Sequence, residues 1–102
     1  MTNSFELLAD PTRRRVLDEL RQGERSVGVL VERLRMSQPA VSKQLRVLRE
    51  AGLASVRVDA QRRIYRLNPE GLLEIDDWLA PYRALWEARL DALEKTLDSM
   101  ED

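Results

Sequence analysis

Apolar residues recur three and four apart in the first half of the chain, and polar punctuation separates the groups. Phe5 and Leu8 suggest a short opening helix. Asp10-Pro11 then starts a longer one, because Asp10 is a good N-cap and Pro11 has a preset φ and no N–H to leave unpaired in the first turn. Val16, Leu17 and Leu20 give that helix its apolar stripe, Arg13, Arg14 and Asp18 face outward, and Gly23 marks its end. A further helix is expected from Ser26, as cap, through Val27, Leu30 and Leu34, with a tight turn at Arg35-Met36. Ser37 caps the next helix, and Pro39 is tolerated in its first turn. At 100° per residue, Val41, Leu45 and Leu48 share a face within about 60° of one another, and Pro39, Ser42, Lys43 and Arg46 lie roughly opposite. Gly52 fits the residue just past the helix end.

Beyond Gly52 the period changes from helical to two. Val56-Arg57-Val58 and Arg63-Ile64-Tyr65-Arg66-Leu67 read as the arms of a β-hairpin around Asp59-Ala60-Gln61-Arg62. Asn68-Pro69 opens a last helical region with apolar positions at Leu72, Leu73, Ile75, Trp78, Leu79, Leu85, Trp86, Leu90, Leu93 and Leu97. Pro81 falls inside it. A mid-helix proline costs about 3 kcal/mol or more, so two helices or one kinked helix, broken just before Pro81, are expected. The elements add up to a mainly α protein with a small β-hairpin, one domain over residues 1–102.

Composition removes whole classes of chemistry. The 102 residues include no Cys and no His, which excludes disulfides, thiolate metal sites, iron–sulfur clusters and imidazole catalysis. The carboxylates, Lys, Tyr, Ser and Thr that remain show no catalytic spacing, so neither an enzyme nor a cofactor is expected. Residues 1–6 have no basic and apolar leader pattern, and no apolar run approaches the length of a membrane span. A cytoplasmic, nucleoid-associated protein with no membrane partner is the expectation.

The net charge of −1 conceals a strong asymmetry. Residues 11–66 hold 14 basic and 6 acidic side chains, a net of +8, while residues 67–102 hold 3 basic and 10 acidic, a net of −7. Residues 1–10 supply the remaining −2. A basic face for a polyanion, beside an acidic segment with another task, follows from that division.

Helix, tight turn, helix and basic hairpin is the order of a winged helix-turn-helix. The major groove, about 12 Å wide, admits one helix, whose exposed face must offer short polar side chains to base edges. Gln38, Ser42, Lys43 and Gln44 suit that task, with Pro39 and Arg46 on the same helix. Arg57, Arg62, Arg63 and Arg66 on the hairpin would reach flanking phosphates or the minor groove, positioning the protein more than specifying sequence. The recognition helix is placed at about 38–51 and the wing at about 54–67. The alternative is a winged-helix protein-interaction module, against which the retained basic face argues.

Two stretches carry a family resemblance. Leu8-Ala9-Asp10-Pro11-Thr12-Arg13-Arg14-Arg15-Val16-Leu17 and Met36-Ser37-Gln38-Pro39-Ala40-Val41-Ser42-Lys43-Gln44-Leu45-Arg46-Val47-Leu48-Arg49-Glu50-Ala51-Gly52-Leu53 resemble the signatures of the ArsR/SmtB family of bacterial transcriptional repressors. The resemblance implies a homodimeric repressor, its own operon among the candidate targets, that binds an inverted-repeat operator in double-stranded DNA. It also implies dimerisation through the first and last helices, the latter at about 70–98.

Metal-sensing members carry two cysteines where this chain has Ser26 and Gly28, and others use His and Asp on the last helix. Soft-metal sensing through those positions is therefore rejected. Asp76 and Asp77 are adjacent and diverge by about 100°, which marks an exposed acidic face rather than a ligand pair. Arg35 stands where the family often has Gly, at a cost on the order of 1 kcal/mol if the turn needs a positive φ.

Trp78, Tyr82 and Trp86, at i, i+4 and i+8, share a helix face. With Phe5, Leu8, Leu79, Leu90 and Leu93 they would form a dimer seam or an apolar pocket for a small-molecule effector of unknown identity. Glu87, Asp91, Glu94 and Asp98 would form an exposed acidic strip on the same helix, away from the phosphates.

Overall fold

Caps written into the sequence start the helices of the computed structural model, which describes residues 4–100. Residues 1–3 and 101–102, which the sequence reading includes in the domain, lie outside the described residues. After α1 (Ser4–Leu8), Asp10 accepts a 2.8 Å hydrogen bond from the Thr12 N–H and opens α2 (Pro11–Arg21). The Arg14 guanidinium donates back to the Leu8 carbonyl and ties α1 to α2. A two-residue strand, β1 (Arg25–Ser26), precedes α3 (Val27–Leu34), whose N-cap Ser26 accepts from the Val29 N–H. Ser37 accepts from the Ala40 N–H and opens α4 (Gln38–Glu50).

The chain leaves α4 through Gly52, at φ 81°, a left-handed conformation that a side chain would strain. That turn lets the Leu53 N–H reach the Leu48 carbonyl at 2.9 Å and sends the chain into β2 (Ala54–Asp59) and β3 (Arg62–Leu67). The hairpin is joined by β1 as a third antiparallel strand, in the order β1-β3-β2, with Arg25 opposite Tyr65 and Val56 opposite Tyr65 on the other side. The sequence reading, which had a hairpin alone, missed β1. Two residues carry no detectable alternation, and their strand character comes from pairing with β3.

The core lies among α2, α3, α4 and the inner face of the sheet. Val16, Leu30, Val41, Leu45, Leu48 and Leu53 are fully buried, with Leu7, Leu17, Leu20, Leu34, Ala54 and Tyr65 packed around them. Leu8, expected on the dimer seam, is half-buried and packs against this core.

A single 3-10 turn (Pro69–Leu72) leads into α5 (Leu73–Met100). The turn packs closely: a Cβ on Gly71 would stand 2.6 Å from Leu53 Cδ2, so only glycine fits. The Ser4 hydroxyl also donates to the Gly71 carbonyl.

Of the two forms expected at Pro81, the two separate helices are not found, and α5 runs through the proline as one helix of 28 residues. Pro81 removes one N–H and leaves the Asp77 carbonyl without its helical donor, but both residues are exposed, so that carbonyl is open to solvent. Beside it, Arg83 donates to the Asp76 carboxylate at 2.7 Å and bridges the turn that Pro81 weakens.

No residue of α5 is buried. The helix, about 42 Å long at 1.5 Å per residue, extends the molecule to 65 × 30 × 22 Å. The radius of gyration is 18.7 Å, where a compact domain of this length would have about 13 Å.

Candidate nucleic-acid interface

A recognition helix must be held rigidly on one side and left open on the other. On the inner side, Val41, Leu45 and Leu48 are completely buried. The preceding turn is fixed by Arg35 in the left-handed region, at φ 54° and ψ 45°, with the Met36 N–H returning to the Val31 carbonyl. Its tip is held from α2, where the Arg15 guanidinium donates to the Leu34 carbonyl at 2.9 Å. This places a positive charge at the negative end of α3.

On the outer side, Gln38, Pro39, Ser42, Lys43 and Arg46 are exposed. They line a cleft of about 550 Å3 with Arg49, Val27, and Arg63 and Tyr65 from β3. Helix and wing thus form one concave surface. Arg49, three residues past Arg46 and seven past Ser42, completes the polar stripe, and the helical repeat alone is sufficient to find it.

The wing divides its arginines between two faces, as period-two alternation demands. Arg63 and Tyr65 face α4 across the cleft. Arg57, opposite Ile64 in the register, lies on the other face, where its guanidinium donates to the Glu24 carboxylate at 2.9 Å. That hydrogen bond, reinforced by the charge of Arg57, holds the Glu24 carboxyl below its ordinary value and raises Arg57 above its own. Arg62, at the hairpin tip, is 3.7 Å from Asp59 and near enough to α4 to line a second depression with Gln38 and Arg63.

Gln44 departs from the expected set. It is half-buried, does not line the cleft, and accepts a 3.0 Å hydrogen bond from Arg13 Nε of α2. Arg13, expected to face outward, is correspondingly turned inward toward α4.

The ion pairs distinguish the cleft from the rest of the basic surface. Arg13 is near Asp10, Arg25 and Arg33 flank Glu19, and Arg57 and Arg62 pair with Glu24 and Asp59. None of the ion pairs in the described chain includes Lys43, Arg46, Arg49 or Arg63. The cleft therefore collects four cations without counterions.

Away from the cleft, Phe5 meets Trp78 edge to face at 5.7 Å and 82°, and Trp78 packs on Tyr82 at 4.9 Å. Leu79 is half-buried, whereas Phe5, Trp78, Tyr82, Trp86, Leu90 and Leu93 are exposed. Among the described residues no group of three or more acidic side chains stands where it would hold a metal ion, and no helix is long and apolar enough to cross a membrane.

Residues 10–56 match the model of the bacterial regulatory proteins of the arsR family. The chain is 36% identical to the HTH-type transcriptional regulator Rv2034 of Mycobacterium tuberculosis, over 97% of this chain and 90% of that protein. It is 34% identical to the transcriptional repressor SdpR of Bacillus subtilis, over 78% of this chain and 88% of that one. The crystal structure of a possible transcriptional regulator for arsenical resistance superposes with a TM-score of 0.71 at 38% identity, covering 94% of this chain and 97% of the other. With its two signature stretches, its helix-turn-helix and its wing, the chain belongs to the arsR family of bacterial regulatory proteins.

Proposed function

We propose that the protein is a cytoplasmic transcriptional repressor that binds a two-fold symmetric operator in duplex DNA as a homodimer, with no catalytic activity of its own. The observation that carries this reading is the cleft between α4 and β3, where Lys43, Arg46, Arg49 and Arg63 converge without counterions. Unpaired cations are the ones able to exchange for the counterions of a phosphate backbone. Gln38, Ser42 and Lys43, in the first half of α4, have the length and hydrogen-bonding groups to reach base edges. The repressor named among the relatives supports the direction of regulation.

Dimerisation is supported by α5. Its apolar positions Leu79, Tyr82, Trp86, Leu90, Leu93, Leu97 and Met100 advance 21 residues in six steps, a mean of 3.5, the repeat of a helix-to-helix seam. Phe5, Trp78 and Tyr82 stack within one protomer and extend that seam as a preformed aromatic surface, which favours a dimer contact over an effector pocket. Two recognition helices on a two-fold axis then engage half-sites about 10 base pairs apart or a multiple of it.

The test is binding to a duplex that the wild-type protein selects from a random library, measured across salt concentrations. Lys43→Ala is expected to weaken binding by about 1–3 kcal/mol at one base position. Arg63→Ala should reduce the salt slope by about one per protomer, whereas Arg57→Ala, already neutralised by Glu24, should leave it nearly unchanged. Wild-type affinity in both Lys43→Ala and Arg63→Ala would refute the assigned surface.

A further inference from the structure

Arg13 occupies the third position of α2, where a positive charge meets the positive end of the helix dipole and an acidic side chain is ordinarily favoured. Its surroundings account for the exception. Asp10, which caps the same helix, has its carboxylate 3.8 Å from the Arg13 guanidinium, and Arg13 Nε donates across to Gln44 Oε1 of α4 at 3.0 Å. Arginine has no acceptor, so Gln44 must present its oxygen, which fixes the side-chain amide as well as the helix that carries it. The link joins residues 31 apart in sequence and lies on the flank of α4 adjoining the buried stripe, outside the cleft.

We infer that Arg13 and Gln44 are positioning residues that set the roll of α4, and that Gln44 reads no base. This rests on α4 being the recognition helix. Val16, Leu17 and Leu20 of α2 and Val41, Leu45 and Leu48 of α4 belong to the same buried cluster, and such apolar packing is non-directional. A roll of about 10° displaces side-chain tips on a helix of 10–12 Å overall diameter by about 1 Å. Base-edge hydrogen bonds do not survive that displacement, whereas contacts to the mobile ends of arginines on phosphate do. The Asp10–Arg13–Gln44 link is the directional constraint on that roll. Through the cap of α2 and the bond from Arg14 to Leu8, it also registers α4 against α1, which stacks on α5 through Phe5 and Trp78.

The experiment compares binding to the selected duplex and to a random-sequence duplex, over a range of salt, for the full chain and four variants. Arg13→Met and Gln44→Met each lose about five- to tenfold in affinity for the selected duplex. Both keep wild-type affinity for the random duplex and the wild-type salt slope. The double variant loses no more than either single one. Gln44→Glu, which preserves the acceptor for Arg13, stays near wild type, and circular dichroism melts check that all four variants fold. A fall in the salt slope of about 0.9 per protomer in Arg13→Met would make Arg13 a phosphate contact and overturn the inference. Additive losses would also overturn it, as would loss of binding in a folded Gln44→Glu, which would put Gln44 at the DNA. Lys43→Ala in the same assay separates the two claims. If it and Arg63→Ala both bind like wild type, the assigned surface is refuted and both claims fall; if Lys43→Ala weakens binding while Arg13→Met does not, only the positioning role fails.

Discussion

Replacing Trp86 with alanine should dissociate the proposed dimer while leaving each protomer folded. Trp86 is 53% exposed in the single chain. An aromatic side chain can bury up to about 250 Å2, so roughly 130 Å2 of this one awaits a partner. At about 25 cal/mol per Å2 that area is worth about 3 kcal/mol per chain, and alanine retains only a small part of it. A two-fold interface uses the residue twice, so the loss reaches about 5 kcal/mol, between a thousand- and ten-thousandfold in the dimer dissociation constant. The figure is an upper bound, since ordering of side chains at the interface offsets part of the transfer free energy. Folding should survive because the core cluster runs from Leu7 to Tyr65 and α5 contributes no buried residue to it. Sedimentation equilibrium over a range of protein concentrations gives the association constant, and circular dichroism at the same concentrations reports the fold. An unchanged dimer constant in Trp86→Ala, or a wild-type protein that stays monomeric at micromolar concentration, would refute the seam along α5.

Gly71→Ala brings a Cβ to 2.6 Å from Leu53 Cδ2 and 3.0 Å from the Gly52 carbonyl, so overpacking should cost about 1–3 kcal/mol. Thermal melts should show a clear drop, and an unaltered melting temperature would mean that the 3-10 turn yields freely. Arg35→Gly relieves a left-handed residue at φ 54°, worth about 1 kcal/mol, against a smaller entropic gain of the unfolded chain. Urea denaturation should give a net stabilisation of several tenths of a kcal/mol, and a destabilised variant would contradict the strain. The Glu24 carboxyl is held below 4.5 by its hydrogen bond and charge interaction with Arg57. The favourable contribution of the pair is therefore complete above pH 4.5 and fades as pH falls through the lowered folded value. Carboxyl NMR titration should move Glu24 upward in Arg57→Gln, and an identical curve would show that the pair does not persist in solution.

The caps were the most legible part of the chain, because each depends on a few adjacent residues. Asp10, Ser26, Ser37 and Gly52 all stand where the sequence places them. β1 was invisible for the opposite reason, since Arg25 and Ser26 become a strand only by pairing with Tyr65 and Ile64. Pro81 does not divide α5 into two helices because the penalty for interior proline is smallest where the freed carbonyl is open to water, as on an exposed helix. Gln44 is expected at DNA on residue type, and the structure turns it to Arg13, as its angle on the helix allows. It precedes Leu45 by 100° and lies about 60° from Val41, beside the buried stripe. Arg49 follows from the same arithmetic on the polar side. For the wing, alternation separates Arg62 from Arg63, but which of the two faces α4 is decided by the packing of Tyr65 into the core.

The basic excess of residues 11–66 is only partly a DNA-binding charge, because ion pairing sorts it. Glu19, Glu24 and Asp59 neutralise arginines on the outer face of the sheet and on α3, and Asp10 lies beside the arginine that braces α4. These acids cost the domain little in attraction for DNA, since the cations they occupy do not line the helix side of the cleft. Pairs so open to solvent as Arg57 with Glu24 and Arg62 with Asp59 add little to stability. Their larger effect is to reduce free positive charge where a phosphate contact would carry no sequence information. Lys43, Arg46, Arg49 and Arg63, without such partners, surround the same cleft that Gln38 and Ser42 line. On the proposed reading, electrostatic attraction is thereby strongest where short polar side chains would test base edges, and a duplex drawn in by charge would arrive at the surface able to distinguish it.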